Sequence, residues 1–470
     1  MHKRFLVMAF VAAVLSAPLP LEAQTAARAR HVAASSTVPA KSALRAQIDS
    51  VVRSYLAGGK AAGMSVAVMR GRDTLALKGY GYADLEFDVH TPDHAVYEIG
   101  SVTKQFTASA ILLLQERGKL SLDDPLTQYL PGYPAQGHTV TLRRLLDHTS
   151  GIKGYTELPE FGLFMMRHVA RDSLVALFSS KPFDFAPGDA QVYNNSAYFL
   201  LGLIIEKTSG LSYADFVKKN LFEPAGMTDS RYCSESAIFK RRAHGYDTGP
   251  DGLRRAAYLD HLWPFAAGSL CSSAADLVSW NRALHGGRIL SAASYKELTT
   301  PGTLNDGTRL RYAKGIAVHS VAGHRVIEHG GGINGFLSAS DYFPDDDAII
   351  VVLINTAGPV SPDAVVASLA DLVLGRKTLA SMLYAGDLTH LTGTYSGVGR
   401  GRETRLLVAA DRGSLSFKPD RGGAPKRRAR YVGENTFMVD DTRYTFLGGG
   451  DSPPRLRVDA VYGLSVFDRK

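Results

Sequence analysis

The sequence predicts an α/β (α+β) fold: an antiparallel sheet flanked by helices, with a helical subdomain, followed by a small all-β barrel domain. Three observations support this prediction. Strand-like segments lie next to apolar helices at both ends of the region 43–376, and the middle of that region is helical with long loops. Residues 385–470 contain short strand-like segments separated by Gly and Asp turns. A length of 470 residues is enough for two such domains.

The individual elements follow from hydrophobic periodicity and from turn residues. The segment 101–117 is apolar on nearly every side and stops at Gly118, which predicts a central, buried helix. The other predicted helices are at 43–56, 195–207 and 363–374. Strands of the larger domain are predicted at 64–69, 74–79, 325–328, 337–343 and 348–355. Strands of the C-terminal domain are predicted at 394–396, 405–409, 414–418, 437–439, 443–446, 456–461 and 464–467.

The N-terminal segment is predicted to lie outside the fold. A short basic region precedes an apolar run at 5–15, which is shorter than the roughly 20 residues of a transmembrane helix. Ala23 offers a small residue for cleavage, and Ala17 is an alternative. We therefore predict a signal peptide at 1–23 and a flexible leader at 24–42. The protein is expected to be exported, to the periplasm or the extracellular space, without a stable membrane anchor.

Composition excludes several classes of protein. Apolar residues make up 45% and charged residues 21% of the chain, values that are typical of a globular protein. The mean hydropathy of −0.05 argues against a many-helix membrane protein. Residues 387–470 carry 15 basic and 10 acidic side chains, so five of the eight net positive charges lie there. Because no nucleic-acid-binding motif accompanies the basic run 426–430, we expect a solvated strand end or loop and no nucleic-acid partner.

The pattern S-x-x-K occurs twice, at Ser101–Lys104 and at Ser150–Lys153. Two occurrences are about what chance predicts for a chain of this length, so the pattern alone is weak. The contexts differ, however. Ser101 opens the buried helix, which places Lys104 one turn on and on the same face. Gly151 breaks any helix at the second occurrence, so only the first pair is expected to be held in register.

A serine and a lysine on one face of a buried helix can perform nucleophilic chemistry. A Ser hydroxyl is a poor nucleophile until a base takes its proton. Burial disfavours the ammonium form of a lysine, which lets Lys104 act as a proton acceptor for Ser101. The helix N-terminus adds N–H groups beside a developing negative charge. Taken alone, the motif is better explained by a Ser cap and a solvent-directed Lys, and further motifs are needed to change that interpretation.

Two further motifs supply that support. Tyr193-Asn194-Asn195 fits Y-x-N just before a helix, and His329-Gly330-Gly331-Gly332 follows a predicted strand. With these motifs in this order, the chain resembles the penicillin-recognising serine hydrolases of the class C β-lactamase and DD-peptidase type. The neighbouring segments 98–101, 145–151 and 193–202 match as well. The resemblance covers about 43–375 and implies a β-lactamase-like serine hydrolase domain at 43–376, with the appended β-barrel-like domain at 385–470.

The resemblance also implies roles for the motif residues. Ser101 is the expected nucleophile, which forms an acyl-enzyme. Lys104 and Tyr193 are expected to share its activation and the return of the proton, and which of them is the base stays open. Asn195 is expected to hydrogen-bond Lys104 and the substrate amide.

The third motif is expected to bind substrate through its backbone. The strand at His329, with Gly330 and Gly331, would pair with the substrate main chain. The N–H groups of Ser101 and Gly332 would form the oxyanion hole. Glycine at these positions allows substrate to approach the backbone closely.

The sequence departs from the family pattern at the third motif, where His329 replaces Lys and Gly330 replaces Thr or Ser. In β-lactamases that lysine and hydroxyl help to hold the substrate carboxylate, whereas His is mostly neutral at pH 7. An H-G-G motif is similar to that of D-aminopeptidases and some esterases of the family. We therefore predict hydrolysis of D-residue peptides related to peptidoglycan, or of small esters. The alternatives are a β-lactamase or penicillin-binding protein, and a non-catalytic binding or sensing protein on the same fold.

No metal site is predicted, since H-x-H and H-E-x-x-H are missing from the sequence. No cofactor is predicted either, since no G-x-G-x-x-G lies between a predicted strand and a helix. The expected partner is a small-molecule or peptide substrate, and the oligomeric state is left open. Asn194-Asn195-Ser196 fits a glycosylation acceptor, which we attribute to chance because it overlaps Y-x-N. Cys233 and Cys271 are either a disulfide of an exported protein or two buried free thiols, and the sequence does not decide between them.

Overall fold

The computed structural model describes residues 41–377, 382–399, 402–420, 424–448 and 455–470. Leu44–Lys470 form one compact unit. The predicted signal peptide at 1–23 lies outside the described residues, and so does the predicted leader up to residue 40. The leader was expected to reach residue 42, but a helix already begins at Lys41.

The strands of the larger domain come first in chain order. They are β1 (Gly63–Arg70), β2 (Asp73–Asp84), β3 (Val89–His90), β4 (Val96–Glu98), β5 (Gln191–Val192), β6 (Arg231–Tyr232), β7 (Tyr246–Gly249), β8 (Gly252–Arg255), β9 (Leu270–Ser273), β10 (Ala317–Val321), β11 (His324–Ile333), β12 (Phe336–Phe343), β13 (Ala348–Ile354) and β14 (Thr356–Ala357).

The helices alternate with these strands. They are α1 (Lys41–Leu56), α2 (Thr103–Glu116), α3 (Leu126–Tyr129), α4 (Leu142–Leu146), α5 (Pro159–Phe164), α6 (Arg171–Ser179), α7 (Asn195–Ser209), α8 (Tyr213–Val217), α9 (Glu223–Ala225), α10 (Phe265–Gly268), α11 (Ala274–His285), α12 (Ala292–Thr299) and α13 (Pro362–Leu374). Short 3-10 turns lie at Gly100–Val102, Tyr155–Glu157 and Thr389–Leu391, and a π turn lies at Lys218–Phe222.

A seven-stranded antiparallel sheet forms the centre of the larger domain, in the order β10-β11-β12-β13-β1-β2-β3. Val66 of β1 is opposite Val352 of β13, and both belong to the apolar cluster that α1 and α13 form on one face. Ala67 and Val351, which face the other way, belong to the large cluster that includes α2 and α11. Because both faces are covered, these two strands are almost continuous apolar runs. The predicted sheet flanked by helices is confirmed.

The predicted central helix is α2, and every residue from Thr103 to Leu114 is buried. It begins two residues later than predicted because Gly100–Val102 form a 3-10 turn. Gly100 has a φ of 49°, and a Cβ at this position would lie 2.9 Å from the backbone N of Gly332. Glycine is therefore required at residue 100 for the turn to pack against strand β11.

Strand β11 continues through the glycine run, whereas the sequence predicts a strand that ends at Glu328. The residues from His329 to Ile333 pair with β12 in an unbroken antiparallel register, Gly331 opposite Ser338. On the side of β11 opposite β12, strand β10 pairs only as far as Glu328. Glycine has a low strand propensity, but pairing with β12 outweighs it here.

The larger domain also contains two small three-stranded sheets, β4-β9-β6 and β14-β7-β8. In the first, Cys271 of β9 forms a disulfide bond with Cys233, which follows β6. Both residues are 1% exposed. Of the two alternatives left open by the sequence, the structure shows the disulfide.

The C-terminal domain is a nearly closed all-β barrel with its own apolar core, as predicted. Its strands follow the order β18-β17-β16-β15-β23-β22-β21-β20-β19, and β5 of the larger domain pairs with β23. They are β15 (Gly393–Gly399), β16 (Arg402–Asp411), β17 (Ser414–Pro419), β18 (Arg427–Arg428), β19 (Arg430–Gly433), β20 (Thr436–Val439), β21 (Thr442–Leu447), β22 (Arg455–Ala460) and β23 (Gly463–Arg469). Arg427 and Arg428 of the basic run are exposed. Among the helices of the described residues, none combines the length and apolar character needed to cross a membrane.

Candidate active site

Ser101 and Lys104 meet where the 3-10 turn leads into α2. Lys104 is completely buried, and its Nζ donates hydrogen bonds to Ser101 Oγ at 3.0 Å and to Asn195 Oδ1 at 2.8 Å. A third hydrogen bond reaches the carbonyl oxygen of Ala267 at 2.8 Å. Three donated hydrogen bonds correspond to the ammonium form of Lys104. Loss of one proton leaves a neutral amine held beside the serine hydroxyl, which is the position a proton acceptor needs.

The aromatic ring of Tyr193 lies over this amine, with Lys104 Nζ 4.6 Å from the ring centroid. The backbone on both sides of the tyrosine is fixed. On one side Val192 pairs with Gly463 of β23, and on the other Asn194 caps α7 by accepting from Ala197 N–H at 2.9 Å. The structure thus brings the second motif against the first.

Asn195 is the first residue of α7 and connects the lysine to the opposite wall of the cleft. Its Oδ1 accepts from Lys104, and its Nδ2 lies 3.3 Å from Thr156 Oγ1. The predicted contact between Asn195 and Lys104 is therefore present.

Strand β11 also lines the cavity, and glycine is required at Gly331. A Cβ on Gly331 would lie 2.1 Å from the carbonyl oxygen of Ile99, so only glycine allows the turn that carries Ser101 to approach. Gly330 N–H points away from β12 and donates to Tyr462 Oη at 2.9 Å. Because residues two apart on a strand point the same way, Gly332 N–H faces the same side. That side is the cavity in which Ser101 lies.

His329 is 1% exposed and its ring nitrogens are engaged within the protein. Nε2 lies 3.0 Å from Tyr312 Oη, and Nδ1 lies 2.5 Å from the Gly330 carbonyl oxygen. Burial, and after it the positive charge of the nearby Lys104 ammonium, lower the pKa of His329 to about 4, so the ring is neutral at pH 7. It therefore offers no positive charge to a substrate carboxylate.

The predicted site residues surround one cavity of about 660 Å³. Its lining includes the predicted residues Ser101, Tyr193, Asn195, His329, Gly330, Gly331 and Gly332, with Lys104 directly behind the serine. The second S-x-x-K pattern lies outside this lining, and Lys153 instead pairs with Asp184 at 2.7 Å. Only the first pattern is part of the site.

Sequence reasoning missed several residues of the cavity. Thr156, Glu157, Asp363 and Tyr462 also line it, and Tyr462 comes from the C-terminal domain. None of the described lining residues is Lys or Arg, so the charges of the wall are the two carboxylates. No sequence motif includes these positions, and only the tertiary structure brings them close to Ser101.

A possible metal-binding cluster lies away from this cavity. Glu98, Glu235 and His261 lie close enough to share an ion. Arg242 already lies 3.1 Å from a carboxylate oxygen of each glutamate, so the cluster is held together as an ion-pair network. The residues fit that structural role better than a metal site.

Comparison with known proteins agrees with the geometry. The family model described as Beta-lactamase matches residues 48–375. A penicillin-binding protein of Bacillus subtilis (strain 168) is 31% identical over 306 residues, which cover 62% of this chain and 67% of the relative.

Two solved structures extend this comparison. An octameric penicillin-binding protein homologue from Pyrococcus abyssi has a TM-score of 0.64 at 25% identity, covering 90% of this chain and 99% of its own. Since the family model ends at residue 375, an alignment of that length includes part of the C-terminal domain. A D-stereospecific amidohydrolase from Streptomyces sp. has a TM-score of 0.61 at 26% identity, covering 72% of this chain and all of its own. The resemblance inferred from the motifs is confirmed.

Proposed function

The chain belongs to the β-lactamase family, and on that premise we propose that it is an exported serine hydrolase that forms an acyl-enzyme on Ser101 and cleaves amide or ester bonds. The observation that carries the proposal is the 3.0 Å contact between Ser101 Oγ and the buried Nζ of Lys104. A serine hydroxyl beside a fixed, desolvated amine is arranged for nucleophilic attack.

The proposed reaction has two halves. In the first, Ser101 Oγ attacks the acyl carbon, and its proton passes to the group formed by Lys104 and Tyr193. The carbonyl oxygen becomes an oxyanion that the N–H groups of Ser101 and Gly332 stabilise. The same proton then goes to the leaving amine or alcohol as its bond to the acyl carbon breaks. In the second half, water attacks the acyl carbon of the acyl-enzyme and gives a proton to the group formed by Lys104 and Tyr193. That proton passes to Ser101 Oγ as its bond to the acyl carbon breaks, and the acid product is released.

Electrostatics favour amides and esters over β-lactams as substrates. With a neutral His329 and no Lys or Arg among the described lining residues, the cavity wall offers no cationic side chain to a substrate carboxylate. The likeness to a D-stereospecific amidohydrolase supports a substrate with a D-residue, such as a peptide related to peptidoglycan in which the leaving group carries no carboxylate. A β-lactamase or penicillin-binding activity is the alternative, and the Bacillus subtilis relative favours it.

A substrate panel tests the proposal. Turnover of an activated ester, a D-alanyl amide and a chromogenic cephalosporin is compared between the wild type and Ser101→Ala. We expect ester and amide turnover that Ser101→Ala abolishes, with weaker turnover of the cephalosporin. Full turnover by Ser101→Ala would exclude the proposed nucleophile.

Covalent labelling separates an enzyme from a binding protein on the same fold. A fluorophosphonate and a fluorescent penicillin are each incubated with the wild type, and the labelled peptide is identified by mass spectrometry. An adduct on Ser101 is expected with at least the fluorophosphonate. If neither probe labels Ser101, the chain is better explained as a non-catalytic binding or sensing protein.

Export is the remaining element of the proposal. The predicted signal peptide at 1–23 supports it, and so does the disulfide between Cys233 and Cys271, because disulfides persist in oxidising compartments. N-terminal sequencing of protein recovered from the periplasm or the medium should show cleavage after Ala23 or Ala17. Recovery of full-length protein only from the cytoplasm would contradict export.

A further inference from the structure

The C-terminal domain reaches into the proposed active site through one side chain. Tyr462 lies in the turn between β22 and β23, and its Oη accepts a hydrogen bond from Gly330 N–H at 2.9 Å. The same hydroxyl donates to the Glu328 carboxylate, whose oxygens lie 2.8 and 2.9 Å away. The Tyr462 ring packs against His329, with 5.2 Å between the ring centroids. This contact fixes the tyrosine at one end of the cavity.

Tyr462 binds the edge of strand β11 at a point where β10 no longer pairs with it. Strand β10 pairs with β11 only as far as Glu328, so the edge is uncovered from His329 onward. At Gly330 the N–H is bound by Tyr462, and the carbonyl oxygen is bound by His329 Nδ1 at 2.5 Å. The backbone groups of Gly330 are therefore already hydrogen-bonded within the protein. Those of Gly332 are available to an extended substrate.

The same end of the cavity is acidic. A Cβ built on Gly330 would lie 3.6 Å from Tyr462 Oη and 3.8 Å from Asp363 Oδ1, so both groups border the space that a side chain at 330 would fill. Glu328 lies behind the tyrosine and is 7% exposed. Burial opposes its ionisation, but the hydrogen bond from His319 lowers the pKa of Glu328. Asp363 in the wall, with Glu328 behind Tyr462, thus lies where relatives with a Lys and a hydroxyl hold a substrate carboxylate.

In a substrate such as a D-alanyl-D-alanine peptide, that carboxylate belongs to the leaving group. We propose that Tyr462 is a specificity-determining residue supplied by the C-terminal domain. Together with Asp363 it closes the leaving-group end of the cleft and excludes leaving groups that carry a carboxylate. The enzyme then releases small neutral alcohols, amines or ammonia in preference to an amino acid or a hydroxy acid. This inference rests on the proposed hydrolase function.

Two esters that differ only in one charge test the inference. They are N-acetyl-D-alanine esterified to D-lactic acid and N-acetyl-D-alanine esterified to D-lactamide. Repulsion between like charges predicts that the wild type prefers the lactamide ester at least about tenfold in kcat/KM. Tyr462→Ala combined with Asp363→Asn and Glu328→Gln, which removes the tyrosine and both carboxylates, should bring the ratio close to one. Tyr462→Phe, which keeps the ring and frees Gly330 N–H, should give an intermediate ratio.

Tyr431→Phe is the matched control, since Tyr431 lies in the same domain on β19 and outside the cavity lining. Its ratio should equal that of the wild type, and thermal melts show that each variant is folded. Suppose that turnover of the lactamide ester depends on Ser101, but the ratio of the two kcat/KM values is the same in every Tyr462 variant. That result would overturn this inference and leave the proposed function in place. Equal turnover of both esters by the wild type would overturn this inference as well. Turnover that does not depend on Ser101 would overturn the proposed function and this inference with it.

Discussion

Lys104 Nζ lies 3.0 Å from Ser101 Oγ, on a lysine side chain with no exposed surface. Three residues separate the pair in sequence, and α2 holds the lysine in place because its residues Thr103–Leu114 are all buried. The contact therefore depends on the core of the larger domain and not on a mobile loop. It is the geometric basis for the chemistry proposed above.

Replacing Lys104 should remove the activation of Ser101 with little effect on substrate binding. We expect Lys104→Met to lower kcat for an activated ester by at least about a hundredfold, the usual contribution of a general base. Lys104→Arg should not restore activity, because a guanidinium does not lose its proton. Steady-state kinetics, with circular dichroism to show folding, measure the effect.

The second S-x-x-K pattern provides a control for that experiment. Lys153 pairs with Asp184 at 2.7 Å and is absent from the cavity lining. Lys153→Met should keep kcat within a factor of about two, as expected for a residue outside the site. Equal losses in Lys104→Met and Lys153→Met would show that the first pair has no special role.

Adjacent glycines of β11 should tolerate a side chain very differently. A Cβ on Gly331 would lie 2.1 Å from the Ile99 carbonyl oxygen, whereas a Cβ on Gly330 meets no atom closer than 3.6 Å. Gly331→Ala should destabilise the protein by about 1–3 kcal/mol and displace Ser101. Gly330→Ala should change the free energy of unfolding by less than about 0.5 kcal/mol. Urea denaturation of both variants measures the difference, and similar values would contradict the close approach of Ile99 to β11.

Local chemistry explains why the centre of the site could be predicted from the sequence. Ser101 and Lys104 lie one turn apart at the start of a single helix, so helix geometry alone places them together. Residues from distant segments, such as Tyr193 and Gly331, were assigned through the resemblance to a family, not from spacing. Periodicity also predicted the central sheet, because β1 and β13 are almost uniformly apolar.

The features that the sequence missed depend on tertiary contacts. Tyr462 and Gly330 are 132 residues apart, and no pattern near either residue indicates their hydrogen bond. The strand was predicted only as far as Glu328, but pairing with β12 extends β11 through the glycine run despite the low strand propensity of glycine. Spacing does not distinguish a disulfide from two free thiols, since it does not determine whether two side chains meet.

The disulfide between Cys233 and Cys271 should contribute measurably to stability. It closes a loop of 38 residues, for which the chain-entropy model gives about 4 kcal/mol. Cys233→Ala combined with Cys271→Ala should lower the melting temperature, and a reductant should lower it for the wild type only. Mass spectrometry after alkylation of the denatured protein should show two modified cysteines only when a reductant is added. Modification without a reductant would show free thiols.

The ion-pair network around His261 should make stability depend on pH in the alkaline range. His261 is buried, which by itself opposes its charge, but Glu235 and Glu98 raise its pKa to about 9. The folded-state pKa lies above the unfolded value, which is near 6.5. The stabilisation that protonated His261 gives the folded protein is therefore complete below about pH 6.5 and is lost as the pH rises through 9. The size of the shift corresponds to about 3 kcal/mol. Arg242 is the other charged group that contacts the two glutamates.

His261→Gln removes this charge at every pH. The difference in the free energy of unfolding between wild type and His261→Gln should be about 3 kcal/mol at pH 6 and should shrink towards zero above pH 9. Urea denaturation at pH 6, 8 and 10 measures it. His168→Gln is the matched control because His168 is 78% exposed, and its difference from wild type should be small at each pH. If the difference in the free energy of unfolding stays constant from pH 6 to pH 10, His261 is not charged in the folded protein. Only a group whose pKa is raised on folding makes the two proteins converge in stability as the pH rises.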